Sequence, residues 1–420
     1  MHRSTAFGGA AFALAIVAGA AIAQTGTVKP PQAQAWIDVA TFSGMGMTMG
    51  GMSGAGGNPM SALGGLFGGG GGGGAKNSFG HTQQMSAGRW VDVTLYSRNN
   101  PSLAEAQQSV PSGFMSPALK LQAPRDVKPA PHESDDSVVE HEVEKPRGRL
   151  LLYWGCGATI RAGQPKVLDM ASASAADMAK FFVSRRATQR GAHSASGRPL
   201  WPNLVDARMV PDNASLVGEH AFSGTGVPEG FRFQIPAAQD LMPPLQVSQN
   251  DQGGATTLSW GALPTARAYF ASGMGAAKPE EMVIWTSSEV PEVGFGLMDY
   301  QTNSAVDRWL REAVLLAPAT TQCTVPKGVF PGEGAMLRVI AYGSELNLVH
   351  PPRPADPKAN WEPVWATKIR VKSVASLMLG MPAMDAMPAA AKESDAPAEP
   401  SAKPEKKPGT LDLLKGILGR

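Results

Sequence analysis

Alternation with a period of two is the strongest signal along this chain. Val91, Val93 and Leu95 fall on one side of an extended segment, with Trp90, Asp92, Thr94 and Tyr96 on the other, because successive side chains of a strand point to opposite faces. The same period recurs at Phe231, Phe233 and Ile235 against Arg232 and Gln234. It recurs again at Leu337, Val339 and Ala341 against Met336, Arg338, Ile340 and Tyr342. Ile369 and Val371 alternate with Lys368, Arg370 and Lys372, and this cationic face predicts an exposed edge strand, where charge discourages stray pairing. Leu150 to Trp154 and Met282 to Trp285 are continuous apolar runs, as expected of strands covered on both faces. Turn clusters of Gly, Pro, Asn and Asp separate these segments, so the pattern as a whole is that of β-sandwiches.

Two segments change to a helical period. Ser304 to Ala317 places Val306, Leu310, Ala313 and Leu316 on one stripe, with Ser304 as N-cap, Asp307 three residues on and Pro318 as the stop,. Ala173 to Gln189 is the second, with Phe181 and Phe182 followed by Arg185, Arg186 and Arg190. Its basic end is expected to face water, the alternative being contact with the acidic stretch 133–144.

Between the folded runs lie tracts that cannot bury a core. Residues 44–85 form a Gly/Met-rich linker with an unbroken glycine run at 68–74, residues 124–147 a Pro-rich and then acidic loop, and residues 375–409 a Pro/Ala/Lys/Glu linker. Glycine-rich and charged compositions of this kind do not offset the entropy of ordering. The expected organisation is mainly β. A strand segment at 24–43 precedes a first β-sandwich over 86–243 and a second over 244–374, with a few short helices and disordered, low-complexity segments. Residues 410–420 follow as a short amphipathic helix.

The N-terminus changes the compartment. His2 and Arg3 open a polar start, an apolar stretch follows through Ile16, Val17 and Ala18, and Ala21-Ile22-Ala23 supplies small residues two apart. Residues 1–23 therefore read as a signal peptide, too short in its apolar part for a membrane anchor, and nothing later offers about 18 uninterrupted apolar residues. The expectation is an exported protein of the periplasm or cell surface that is not transmembrane. The formal charge of +2 gives no electrostatic case for nucleic acid, whose binding rests on phosphate neutralisation. Only two cysteines are present, Cys156 and Cys323. In an oxidising compartment they are disulfide candidates, two separately buried thiols being the alternative.

Leu258-Ser259-Trp260, followed by Pro264, Ala266 and Tyr269-Phe270, resembles the second- and third-strand signature of a fibronectin type III domain. The resemblance covers about a dozen residues. It implies an Ig-like or fibronectin-like sandwich in which the Trp and Tyr pack across the two sheets, in a family whose usual roles are adhesion, scaffolding and binding.

Candidate chemistry is sparse. The chain has no Gly-x-Ser-x-Gly, Ser-x-x-Lys, His-Glu-x-x-His or Walker loop, and Gly191-Ala192-His193-Ser194 lacks the glycine a nucleophile elbow needs after its serine,. Glu140, His141, Glu142 and Glu144, near His132, Asp135 and Asp136, are oxygen and imidazole donors within the acidic loop. Met45, Met47, Met49 and Met52 place four thioethers within eight residues, and Met378, Met381, Met384 and Met387 recur at every third residue. No cofactor is expected, the alternative being copper, because soft thioethers prefer Cu(I). Trp201, Trp361 and Trp365 lie near prolines and are expected to pack structurally, the alternative being exposed rings that stack on sugars, whereas Trp90, Trp154, Trp260 and Trp285 belong to strands,. In the terminal helix Leu411, Leu414, Ile417 and Leu418 make one apolar stripe, read as a docking element for an envelope protein. The expected function is a non-catalytic binding or structural protein of the bacterial envelope. The alternatives are a periplasmic Cu(I)-binding protein and a carbohydrate-active enzyme whose acids are dispersed.

Overall fold

The computed structural model describes residues 27–44, 77–124 and 148–380, apart from residues 85, 279, 333 and 357. In chain order its first strands are β1 (Ala33–Gly44), β2 (Gly88–Ser97), β3 (Glu105–Ser109), β4 (Ala118–Gln122), β5 (Arg149–Trp154), β6 (Lys166–Asp169), β7 (Leu200–Trp201), β8 (Gly218–Ser223) and β9 (Arg232–Ile235). They continue as β10 (Val247–Gln252), β11 (Ala255–Trp260), β12 (Ala268–Lys278), β13 (Glu281–Thr286), β14 (Gln322–Val325), β15 (Met336–Tyr342), β16 (Leu346–His350) and β17 (Trp365–Met378). The helices are α1 (Ala175–Phe181) and α2 (Asn303–Arg311). The protein is mainly β.

Fourteen strands share one sheet in the order β6-β5-β13-β12-β15-β17-β1-β2-β7-β4-β3-β8-β9, with β16 paired to β17 beside that path. β10, β11 and β14 form a second sheet with β11 in the middle. The sequence expectation of two sandwiches meeting near residue 243 is not how the sheet divides. β5 pairs in parallel with β13, and β1 in parallel with β17, so strands from both expected halves interleave. The intended boundary is itself held in the structure. The carbonyls of Met242, Pro243 and Leu245 accept hydrogen bonds from Thr41 Oγ1 (2.7 Å), Ser373 Oγ (2.9 Å) and Ser43 Oγ (2.6 Å) of the two central strands.

β1 and β17 lie side by side in the middle of the sheet, in register from Ala33 opposite Trp365 to Gly44 opposite Ser376. One face of β1, with Ala33, Ala35, Ile37 and Val39, joins a core shared with Val91, Val93 and Leu95 of β2, Leu337 and Val339 of β15, and Trp260 and Leu258 of the small sheet. That core also receives Phe231 and Phe233, and Phe231 stacks on Trp365 with ring centroids 5.0 Å apart. The β9 end of the sheet thus curls back over β17. The opposite face of β1, through Ala40 and Phe42, packs with Trp90, Phe270 and Tyr342 and with Val306 and Trp309 of α2. A strand buried on both faces reads as an apolar run, and each large side chain enclosed in this way contributes about 1.5–3 kcal/mol.

The helices are shorter than their sequence periods suggest. Thr302, not Ser304, caps α2, its side chain accepting from the Ala305 amide. Ala313 then adopts a left-handed φ of 55°, and Leu316 leaves the helix to exchange backbone hydrogen bonds with Tyr269 (3.0 and 2.8 Å). α1 begins at a capping box between Ser174 and Asp177 and ends by Phe182. The chain beyond it has no regular structure, and its polar groups find partners elsewhere: Arg185 donates to Glu292 and to Glu312 at the end of α2 (both 3.1 Å).

The two sheets are linked covalently. Cys156, just past β5, is bonded to Cys323 of β14, with Cα atoms 5.2 Å apart. Trp260 of β11 and Tyr269 of β12 meet across the sheets at 5.6 Å between ring centroids.

Candidate functional site

The second face of the large sheet carries a row of charged groups. Arg370 of β17 stands opposite Asp38 of β1, and Asp38 opposite Asp92 of β2. Lys372 and Lys368 flank Arg370 on the same face of β17, one position apart in the pleat,. This is the alternation that predicted an exposed edge. The structure corrects it: β17 is central, and Asp38, Arg370 and Lys372 are 1%, 4% and 3% exposed. The cover comes from residues 188–193 and from Asp299 and Tyr300.

Each charge is met by specific groups. Arg370 is bidentate on Asp38, with Nε donating to Oδ1 (2.7 Å) and Nη2 to Oδ2 (2.5 Å). Its Nη1 donates to the Gln189 carbonyl (2.7 Å) and Thr188 Oγ1 (3.2 Å). Asp38 Oδ2 also accepts from the Ala192 amide at 3.0 Å, so one carboxylate ties β1 both to β17 and to the covering segment. At Gly191 a side chain would collide with the Arg370 guanidinium and the Asp38 carboxylate, which explains glycine there. Asp92 accepts from the amides of Gly80 (2.9 Å) and Thr82 (3.1 Å) and from Thr82 Oγ1 (2.5 Å). It therefore fastens the 77–84 segment to the sheet.

Tyr300 lies across the cationic edge. Its hydroxyl donates to the Val39 carbonyl at 3.0 Å, and its ring takes Arg370 and Lys372 each at 4.3 Å, with Phe42 5.8 Å from Lys372. Aromatic faces stabilise desolvated cations by about 2 kcal/mol or more. At the exposed end of the row Arg198 stacks on Trp36 (4.7 Å) and Tyr96 (5.2 Å). Arg198 Nη1 donates to His193 Nε2 at 2.7 Å, and His193 Nδ1 lies 2.7 Å from the Gly191 carbonyl. An arginine cannot accept, so His193 is the neutral tautomer with its proton on Nδ1.

Burial sets the protonation of this cluster. It pushes the Asp92 carboxyl up to about 7, against the hydrogen bonds from Thr82 and Gly80. It also pushes Lys372 down to about 8, although Asp299 partly restores the ammonium. Burial opposes the Arg370 charge too, but the Asp38 carboxylate outweighs it and holds the guanidinium protonated. A carboxyl raised in the folded state keeps a proton that the unfolded chain releases, so its stabilising contribution is complete below the unfolded value near 4 and is lost as pH rises to 7. Asp92 is therefore expected to contribute a fall in the unfolding midpoint between pH 5 and pH 7, with a slope of at most about 1.4 kcal/mol per pH unit, against the opposite slope of His193 and His220, whose imidazoles burial holds below their usual range,. Asp92→Asn should flatten that fall, as thermal scans across the range would register. An unchanged slope would assign the dependence to other groups.

The arrangement acts as a clamp. It binds two covering segments to three adjacent strands and holds one proton near neutrality. Sequence reading placed Asp92, Lys368, Arg370 and Lys372 on strand faces without joining them, and it passed over Asp38. The available signal was an acid flanked by apolar residues in two strands, Ile37-Asp38-Val39 and Val91-Asp92-Val93, since an acid inside an apolar strand must be paired.

The other candidates separate. Cys156 and Cys323 come together as described. Trp201 is fully buried in β7 and Trp365 sits in the core against Phe231. Neither offers a ring to a sugar, while the half-buried Trp361 lies beneath Arg353 at 5.9 Å. Met45, Met47, Met49 and Met52, the acidic group around Glu140, and Leu411, Leu414, Ile417 and Leu418 lie outside the described residues. Among the described residues no group of three His, Cys, Asp or Glu is placed to hold a metal ion, and no helix is long and apolar enough to cross a membrane. No protein-family model, curated protein or solved structure matches this chain.

Proposed function

We propose that this chain is an exported, non-catalytic binding or structural protein of the bacterial envelope, with a fibronectin type III-like sandwich in its C-terminal half. The observation that carries the reading is the Cys156–Cys323 bond between the two sheets. Disulfides persist in oxidising compartments and are rare in the reducing cytosol, in keeping with the signal-like residues 1–23. The sandwich reading is supported by connectivity. The chain passes from β10 and β11 in the small sheet to β12 and β13 in the large one. It then returns to the small sheet at β14 and to the large one again at β15 and β17. Crossing of this kind is the habit of Ig-like and fibronectin-like domains, and Trp260 and Tyr269 pack between the sheets as that resemblance implies. The charged row supports a structural rather than a reactive role, because its carboxylates are committed to Arg370, Thr82 and backbone amides.

The test is a cross-linked pull-down from the native envelope, with thiol labelling of the recovered protein. The expected result is a periplasmic or surface protein without free thiols. Its captured partner is expected to be lost when the chain ends at Gly409. Recovery from the cytoplasm with two reactive thiols, or turnover of an ester, glycan or peptide by the purified chain, would overturn the reading.

A further inference from the structure

Beyond the charged row, the same face of the large sheet ends in methionine. Met274 of β12 stands opposite Met336 of β15, and Met336 opposite Met378 of β17. Residues directly opposed in antiparallel strands point to the same face with Cβ atoms about 5 Å apart. Three thioether arms thus rise in one line from three adjacent strands. All three residues are half-buried, sheltered from bulk water yet reachable from it.

Methionine often fills irregular gaps in cores, and Met274 does lean on the cluster around Leu152 and Ile284. Met336 and Met378 belong to none of the packed clusters, so gap filling does not account for them. A fourth methionine nearby, Met298, is already engaged: its sulfur accepts from Arg338 Nη1 at 3.3 Å. Sequence supplies a second observation. β1 ends at Gly44, opposite Ser376 one row inward, and Met45, Met47, Met49 and Met52 follow it directly. Met381, Met384 and Met387 follow Met378. Two methionine-rich stretches far apart in the chain therefore leave the sheet from neighbouring strands, at the end where the row stands.

Neutral thioethers bind soft, monovalent d10 ions and discriminate against hard divalent cations. We propose that Met274, Met336 and Met378 form a three-thioether site for Cu(I) at this end of the sheet. The proposal goes beyond the binding or structural role given above and does not rest on it. The flanking stretches are no part of the site. The electrostatics oppose binding in a way that can be tested. Arg338, one position inward in the row with Ser272 and Ser376, carries a positive charge whose Nε finds no partner among the described residues. That charge repels any cation bound beside it, so it sets a ceiling on affinity.

The experiment is anaerobic Cu(I) competition against a chromophoric chelator, using the full mature chain and three variants. In the first, Met274, Met336 and Met378 are changed together to leucine, a volume-conserving exchange that leaves packing nearly intact; its unfolding midpoint is recorded alongside. In the second, Met45, Met47, Met49, Met52, Met381, Met384 and Met387 become leucine. The third is Arg338→Gln. The expected result is affinity weakened at least about tenfold in the first variant with its midpoint unchanged. One site of wild-type affinity should survive in the second, and binding should tighten several-fold in the third. Wild-type affinity in the first variant overturns the site. So does loss of all binding in the second, or a wild type that binds Cu(I) no tighter than about micromolar. Unchanged or weaker binding in Arg338→Gln also counts against it, because the guanidinium would then not lie beside the ion.

Discussion

Arg370→Met is expected to lower the free energy of unfolding by about 3–5 kcal/mol. The substitution keeps much of the side-chain volume but leaves Asp38, 1% exposed and directly opposite, without its counter-charge. The Ala192 amide would remain as the carboxylate's donor, and one neutral hydrogen bond does not replace a bidentate ion pair. Asp38→Leu should cost a similar amount by stranding the guanidinium. The double variant is expected to lie closer to the wild type than either single one, since removing both charges removes the desolvation penalty with them. Recovery should stop short by about 1–3 kcal/mol, because the double variant leaves the Gln189 carbonyl without its Arg370 donor and the Ala192 amide without its Asp38 acceptor,. Urea unfolding followed by tryptophan fluorescence would give all four corners of the cycle. The cost should be nearly the same in molar salt, as a pair sealed from solvent is poorly screened. Single variants that cost under about 1 kcal/mol would place the pair among ordinary surface contacts.

The second large effect belongs to the disulfide. Cys156 and Cys323 are separated by 167 positions, and closing a loop of that length removes roughly 5 kcal/mol of conformational entropy from the unfolded chain. The native neighbourhood has other ties: the Gly157 amide donates to the Thr324 carbonyl at 2.9 Å and the Lys327 amide to the Ala158 carbonyl at 3.1 Å. Reduction, or the Cys156→Ala/Cys323→Ala pair, should therefore leave the folded spectrum unchanged while lowering the unfolding midpoint steeply. The signature is a shift that acts through the unfolded ensemble. A stability unaltered by reductant would show that the bond constrains little, and a changed native spectrum would show that it holds the sheets in place by itself.

Much of the strand content was legible because a period of two survives whatever lies on the far side of the sheet. β2, β9 and β15 sit where their alternation predicts, and β5 and β13 behave as strands covered on both faces. What alternation does not carry is the identity of the cover. Lys368, Arg370 and Lys372 look like a solvated edge in one dimension. They are interior because residues 188–193, far away in sequence, lie over them and because Asp38 stands one strand over. The same limit hid the site. Asp38 and Arg370 are separated by 332 positions, and nothing local links an acid in one strand to a base in another when their pairing is parallel. Helix lengths failed for a related reason, since Leu316 has the helical period yet finds a better backbone partner in Tyr269.

The parallel pairing of β1 with β17 also bears on the order in which the protein becomes itself. β1 emerges among the first residues of the folded body, but its neighbour on one side is among the last, so twelve positions of backbone wait for partners until almost the whole body has been made. Contacts of such long range slow folding and leave strand edges open while they are awaited. The edge of β1 that meets β17 thus stays open through most of synthesis, while its other edge already has β2 to pair with. The greatest hazard of misassembly therefore falls in the interval before residue 378 arrives.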